Sequence, residues 1–437
     1  MRDPEVATTT AWKAILTGEA SAKAERSVLE IAEGLRDEAW SPERIFHSLA
    51  GGSSGLAIFY HELAQRWPES GFDALRDRYW NASIDLLAGS PDPMPNLYSG
   101  FTGVGWATAF LARGEKSPGA DDESHEELEE ALLECLRSIR GPADYDLING
   151  PTGWGLYALE RWPHPRAIQA LELIVDFLEQ RAERVPEGIR WHTAPELLHP
   201  RQREHSPNGY FNMGLSHGVP GVWVLLAHTL VRGIRPRVSK DLLEGSVQWG
   251  LAQRWHGESA TVFPSSVNEK QPTPPSSRLA WCYGDLGVAS ALYLAGHLIE
   301  RPEWMRDAVS IVRRATKLTR EISRNVDCPL CHGTAGVAHV FNRFYHATGE
   351  EAFAKAAAYW LEVTLDMRVD GIGPGGYATW RHEPTPGWEA MAGLLEGSSG
   401  IGLALLAAIG DREPCWDRFL YISSVPMAKD AYGRVEA

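Results

Sequence analysis

What this chain of 437 residues lacks narrows the field first. Cysteine is sparse: five residues, an odd number without framework spacing. That pattern argues against a disulfide scaffold and for a reducing compartment. No run of about 18 residues is both apolar and free of charge, so no membrane-spanning helix is expected. The first residues show no apolar stretch behind a basic start, so no secretory signal is read there. The cytoplasm is the expected location. Positive charge is also short: 42 Lys and Arg against 57 Asp and Glu leave a formal net charge of −15. Such a surface disfavours nucleic acid and suits a basic or neutral peptide partner. The 17 tryptophans are not interleaved with basic residues, so they are expected as core and interface anchors. Long acidic tails are missing too. The densest acidic cluster, Glu123 to Glu130, is expected to be a solvated helix face.

What is present is a repeat. A Gly-x-x-Gly unit starts at Gly52, Gly100, Gly150, Gly218, Gly284, Gly333 and Gly397. An apolar run follows each one, as in Gly221-Val222-Trp223-Val224-Leu225-Leu226 and Gly400-Ile401-Gly402-Leu403-Ala404-Leu405. Runs apolar all round predict buried helices, each opened by the second glycine. Before each unit lies an amphipathic pattern, with apolar residues three and four apart. These patterns cover Arg26–Asp37, Phe72–Leu87, His125–Ile139, Pro165–Arg184, Lys240–Arg254, Glu303–Ile322 and Glu350–Met367. The chain therefore alternates an outer, half-solvated helix with an inner, buried one, seven times. Stacking buries faces that no single repeat could bury alone. With every inner helix apolar, closure into one ring is expected: an all-α toroid, a single domain over residues 1–437. The glycines allow close approach of neighbouring helix starts, which would gather the turns at one end. Three stretches interrupt the spacing: Val185–Asn212, with strand-like Gly188–Thr193, then Ser259–Ser277 and Asp370–Trp388. Loops this long in a compact domain are often functional.

Two of the turns carry sulfur. Trp281-Cys282-Tyr283-Gly284 is one and Cys331-His332-Gly333 the other. Two thiolates and an imidazole suit Zn²⁺, and three protein ligands would leave one position open, as catalytic zinc sites do. Cys328 could close the site as a fourth ligand and make it structural. Cys328-Pro329-Leu330-Cys331-His332 also spells a c-type haem attachment pattern, although no export signal accompanies it. His217 stands directly before a repeat glycine, as His332 does. Asp146 lies four residues before Gly150, where a helix cap or ion-pair partner is the alternative reading. Asp285 reads as a helix cap, and His47, His61 and His339 as structural.

With these motifs set out, the chain resembles the lanthionine synthetase C-like family, the lantibiotic cyclases. The specific stretches are Ser216-His217-Gly218-x-x-Gly221, Trp281-Cys282-Tyr283-Gly284, Cys331-His332-Gly333 and Tyr145-Asp146-Leu147-Ile148-x-Gly150-x-x-Gly153. The resemblance implies an α/α toroid of seven inner and seven outer helices around one zinc. It implies Cys282, Cys331 and His332 as ligands, Asp146 and His217 as acid–base residues, and Arg278 and Tyr283 as further active-site residues. It also implies a stand-alone cyclase. The reaction would be Michael addition of a cysteine thiol to dehydroalanine or dehydrobutyrine in a precursor peptide of leader and core.

The chemistry asks for such a set. A free thiol has a pKa near ~8.5, so its thiolate, the nucleophile, is scarce at neutral pH. Addition leaves an enolate that needs a proton, which histidine can supply. Asp146 could take the thiol proton or orient a histidine. Arg278 could steady the enolate oxygen or Asp146. Val185–Asn212 is the expected leader-docking surface, and a separate dehydratase and an exporter are the implied partners. A relative that adds glutathione or another small thiol, and a zinc-stabilised scaffold without catalysis, are the competing functions. A monomer is expected.

Overall fold

The computed structural model describes residues 11–37, 40–41, 45–112, 120–268, 277–381 and 385–423. The alternation of helices holds throughout. The outer helices are α1 (Gly18–Gly34), α3 (Phe72–Ala88), α5 (Ala120–Ser138), α7 (Pro165–Arg181), α10 (Pro236–Ala252), α12 (Pro302–Ala315) and α15 (Glu351–Asp366). The inner ones are α2 (Ser53–Arg66), α4 (Phe101–Leu111), α6 (Pro151–Arg161), α9 (Val219–Val231), α11 (Asp285–Leu298), α14 (Thr334–Thr348) and α16 (Ser398–Ile409). Two short helices, α8 (Pro200–His205) and α13 (Arg320–Ser323), lie between repeats. The expected outer helix Glu303–Ile322 is thus split into α12 and α13. Every inner helix begins one residue after the first glycine of its turn, not at the second. The second glycine therefore sits inside the first helical turn.

Its reason is a close approach. A Cβ at Gly336 would run into the Leu330 carbonyl oxygen, and one at Gly400 into that of Leu394. The incoming chain curls under the helix start, and the first N–H groups reach back seven residues. Ser53 donates to Phe46 at 2.7 Å, Phe101 to Met94 at 2.9 Å, Thr334 to Asp327 at 3.0 Å and Ser398 to Met391 at 2.9 Å. These bonds satisfy donors that an uncapped helix would leave open. Three residues before the first glycine stands a buried apolar anchor: Leu49, Leu97, Leu147, Leu215, Trp281, Leu330 or Leu394.

The chain divides into two compact units. The first holds residues 1–93, 277–289 and 307–414. Here α2 packs on α3, α14 on α15, and α16 on α1, α2 and α14. Its turns are joined by backbone bonds two residues before each first glycine: Cys282 N–H to Cys331 O (3.2 Å), Cys331 N–H to Leu395 O (3.0 Å) and Leu395 N–H to Ala50 O (2.9 Å). A hairpin of β5 and β6 also belongs to this unit and is placed below.

The second unit holds residues 94–276, 290–306 and 415–437. There α6 packs on α4, α7 and α9, and α9 on α10. Of the expected solvated face Glu123–Glu130, the side chains of residues 125–130 are described, and part of that stretch is buried: His125 and Glu129 are both in the interior. Glu129 takes Arg161, the last residue of α6, at 3.0 Å and His164, just before α7, at 2.6 Å, because α5 packs against both helices.

The stretch Val185–Asn212 is ordered, and shorter in strand than expected. Strands β1 (Glu183–Val185) and β2 (Gly188–Arg190) form an antiparallel hairpin, with Arg184 opposite Ile189. Ile189 packs where a Cβ on Gly245 of α10 would stand. Trp191 is fully buried, and its Nε1 donates to Leu178 O at 2.8 Å. Thr193 and Tyr210 then exchange both backbone bonds, at 2.9 and 3.2 Å, which closes a loop carrying α8. Strand β3 (Phe211–Asn212) pairs with β4 (Ser266–Val267). In the first unit, β5 (Thr379–Arg381) pairs with β6 (Gly387–Glu389), with Trp380 opposite Trp388.

Candidate metal centre and acid–base pair

Cys282 and Cys331 occupy the same place in two turns that are hydrogen-bonded neighbours, and His332 follows Cys331. This register puts one ligand atom from each of the three residues within 4.8 Å of the other two. Both thiols are buried and His332 is half-buried. Ligand atoms on a tetrahedral zinc stand roughly 3.5–4 Å apart for the usual metal–sulfur and metal–nitrogen lengths. The triad therefore fits the ion with small adjustments, and its soft donors suit zinc.

The thiols share their charge. A hydrogen bond from Cys331 holds Cys282 well below the usual thiol range, helped by His332 and the positive charge of Arg278. Cys331 is pushed well above it, first by its bond to Cys282 and then by burial. Burial alone would lower His332, but Cys282 and Asp327 outweigh it and the imidazole is raised.

Cys328 points elsewhere. Its Sγ lies 3.7 Å from Met367 Sδ and 3.9 Å from Thr364 O, and burial lifts the thiol to about 12. It is outside the ligand group, which removes the closed four-ligand site. Arg278 and Tyr283 flank Cys282 in the same unit, both half-buried. The turn they share depends on Gly284, at φ +89°, against the Arg278 carbonyl.

The second unit holds the other two expected residues, and they touch. Asp146 is buried, and its Oδ1 accepts the N–H groups of Asn149 at 2.7 Å and Gly150 at 3.1 Å. Its Oδ2 lies 2.7 Å from His217 Nδ1. Asp146 is therefore both the cap of its turn and the partner of His217. The two readings offered by the sequence are held together. With Nδ1 donating to the carboxylate, Asp146 fixes the tautomer and orientation of the ring. Asp144, two residues away, is raised to about 6 by burial and then by the charge of Asp146, with His217 opposing.

Sequence reasoning missed Asp144, Asp327 and Glu396. A signal was present. Asp144, Arg278 and Asp327 each stand six residues before a repeat's first glycine, while His217, Tyr283, His332 and Glu396 stand one before it.

A sequence model for the family described as lanthionine synthetase C-like protein matches residues 47–421. The nisin biosynthesis protein NisC of Lactococcus lactis subsp. lactis is 24% identical over 385 residues, covering 82% of this chain and 84% of that protein. The solved structure of nisin cyclase superposes with a TM-score of 0.73 at 21% identity, covering 92% of this chain and 97% of that one. The fold class expected from the repeats, the α/α toroid, is the one this likeness shows.

Proposed function

The chain belongs to the lanthionine synthetase C-like family, and on that premise we propose that it is a zinc-dependent lanthipeptide cyclase. It would join cysteine thiols to dehydroalanine or dehydrobutyrine in a dehydrated precursor peptide, forming lanthionine or methyllanthionine rings. The observation that carries this reading is the gathering of Cys282, Cys331 and His332 within 4.8 Å, where three protein ligands leave room for a fourth.

Zinc bound there would supply the Lewis acidity that keeps a substrate thiol deprotonated at neutral pH. The remaining work falls to side chains. His217 is assigned the proton delivered to the α-carbon, because imidazole is the side chain suited to proton transfer near neutral pH and the Asp146 carboxylate holds its ring. Asp146 is assigned the orienting role, since both its oxygens are already engaged. Arg278 contributes positive charge that the Cys282 thiolate feels and is assigned to the developing enolate oxygen. Tyr283 is assigned to the same site as a neighbour of Cys282. The stretch 185–212 is assigned to the leader peptide, with a dehydratase upstream and an exporter downstream as partners. Among the described residues no helix is long and apolar enough to cross a membrane.

Ring closure leaves peptide mass unchanged but consumes thiols, so alkylation followed by mass spectrometry reads it directly. A dehydrated precursor incubated with the protein should lose alkylatable cysteines, and Cys282→Ala should abolish both that loss and the bound zinc. About one zinc per chain is expected. Zinc retained in Cys282→Ala, or thiols left untouched by the zinc-loaded protein, would overturn the reading.

A further inference from the structure

Asp327 is the most deeply buried carboxylate beside the triad, with its side chain 1% exposed. It stands in the turn of Cys331 and His332, six residues before Gly333, the register that Arg278 holds in its own turn. Its Oδ2 accepts the backbone N–H of Trp380 at 3.0 Å and faces His332 Nε2 at 3.9 Å. Its Oδ1 is buried without a hydrogen-bond partner. A charge kept out of water in this way is costly unless a nearby cation or strong donor compensates it.

The β5–β6 hairpin holds this carboxylate in place. Trp380 in β5 supplies the N–H. On either side, Thr379 Oγ1 donates to Glu396 O at 2.6 Å, and Arg381 Nη1 meets Glu396 Oε2 at 2.7 Å. Glu396 stands one residue before Gly397, as His332 does before Gly333. The hairpin is thus fastened to two neighbouring turns, one of them the turn that carries two of the three metal-ligating side chains.

We propose that Asp327 is the positioning residue of the metal centre: its carboxylate takes the Nε2–H of His332 and so presents Nδ1 to the metal. The inference rests on reading Cys282, Cys331 and His332 as that centre. The present separation of 3.9 Å is about 0.7 Å beyond hydrogen-bond range, a gap that a small ring rotation closes. A carboxylate on the far nitrogen fixes the tautomer and the ring plane and makes the ligating nitrogen a better donor. The arrangement also settles the buried charge. Two thiolates cancel a divalent cation, and the carboxylate then faces an N–H made more acidic by the metal. Trp380 keeps the carboxylate from turning away.

Zinc affinity measured by chelator competition on the full-length protein tests this, together with thermal melting of the zinc-free form. Asp327→Asn keeps an acceptor for Trp380 but removes the charge. It should weaken zinc binding about 10–100-fold, while the zinc-free melting temperature does not fall. Zinc affinity within about twofold of wild type, or a lower zinc-free melting temperature that accounts for the loss, would overturn the positioning role. Cys282→Ala run alongside separates the two ideas. Zinc lost there but unchanged in Asp327→Asn defeats the positioning role and leaves the metal centre standing; a wild-type chain that takes up no zinc defeats both. A second measurement needs no variant. Nitrogen-15 spectra of histidine in the zinc-loaded wild type should show one imidazole metallated at Nδ1 and protonated at Nε2. Metal on Nε2 would overturn the proposal.

Discussion

Asp144 carries a cost that its neighbours impose. Burial and the adjacent Asp146 raise its carboxyl from 3.8 to about 6, so the folded chain holds the proton more tightly than the unfolded one. The sign follows: Asp144 adds to stability below its unfolded value, loses that contribution as pH rises towards 6, and opposes folding above it. Asp144→Asn should therefore be more stable than wild type at pH 7.5 by on the order of 1 kcal/mol, allowing for partial solvent screening. The gain should vanish below about pH 4, a pattern that urea unfolding at several pH values would reveal. A variant less stable than wild type at pH 7.5 would mean that hydrogen bonding, not repulsion, rules the position. The dyad beside it gives a kinetic prediction. His217→Asn and Asp146→Asn should each slow ring closure at least about a hundredfold with zinc content unchanged; full activity in either removes that residue from the mechanism. Short motifs pointed to the triad and to Asp146 and His217, which the structure brings together. Asp327 shares the six-residue register of Arg278, but its bond to Trp380, 53 residues later in the chain, is written in no local pattern.

At the scale of elements, the turn explains the glycines better than backbone freedom does. Gly336 has no positive φ; what it lacks is room, since the Leu330 carbonyl fills the place of a Cβ. Backbone cannot step aside as a side chain can. Gly336→Ala should cost roughly 3 kcal/mol and loosen the Cys331–His332 turn beneath it, so zinc affinity should fall with stability. Gly349 is the useful contrast. It ends α14 at φ +73° with nothing within 4 Å of where a methyl would stand, so Gly349→Ala should cost only about 1–2 kcal/mol and leave zinc alone. Equal effects in melting and zinc titration would refute the distinction. The seven helix pairs were readable because apolar spacing separates amphipathic from all-apolar runs. The helix starts were misread, since a glycine inside a first turn looks like one before it. One strand was read too long, Gly188–Thr193 against Gly188–Arg190, and the others were not read, because strands of two or three residues carry too little alternation to register.

The whole molecule combines a strongly acidic chain with an insertion whose short helix α8 exposes Arg201, Arg203 and His205 beside a single acidic residue, Glu204. Such a patch offers a charged docking point that the rest of the surface does not favour. The insertion can be removed cleanly because its base is already a closed pair. Thr193 and Tyr210 exchange both backbone bonds, the geometry that a two-residue turn spans, so residues 194–209 can be replaced by Asn-Gly. The anchor beneath stays intact: Trp191 keeps its bond to Leu178 and Ile189 its seat against Gly245. What is lost is the burial of Leu198, about 2 kcal/mol at most, with that of Ser206 and the exposed contact of His192 with Asn208 O. The shortened chain should fold, keep its zinc, and close rings in a precursor supplied at high concentration. Its affinity for the leader peptide should drop at least about tenfold, and the wild-type affinity should weaken with added salt while that of the shortened chain does not. Fluorescence anisotropy with a labelled leader at two ionic strengths measures both. Unchanged affinity would move the docking site off this loop, and a loss of affinity without salt dependence would assign it to the loop's apolar residues.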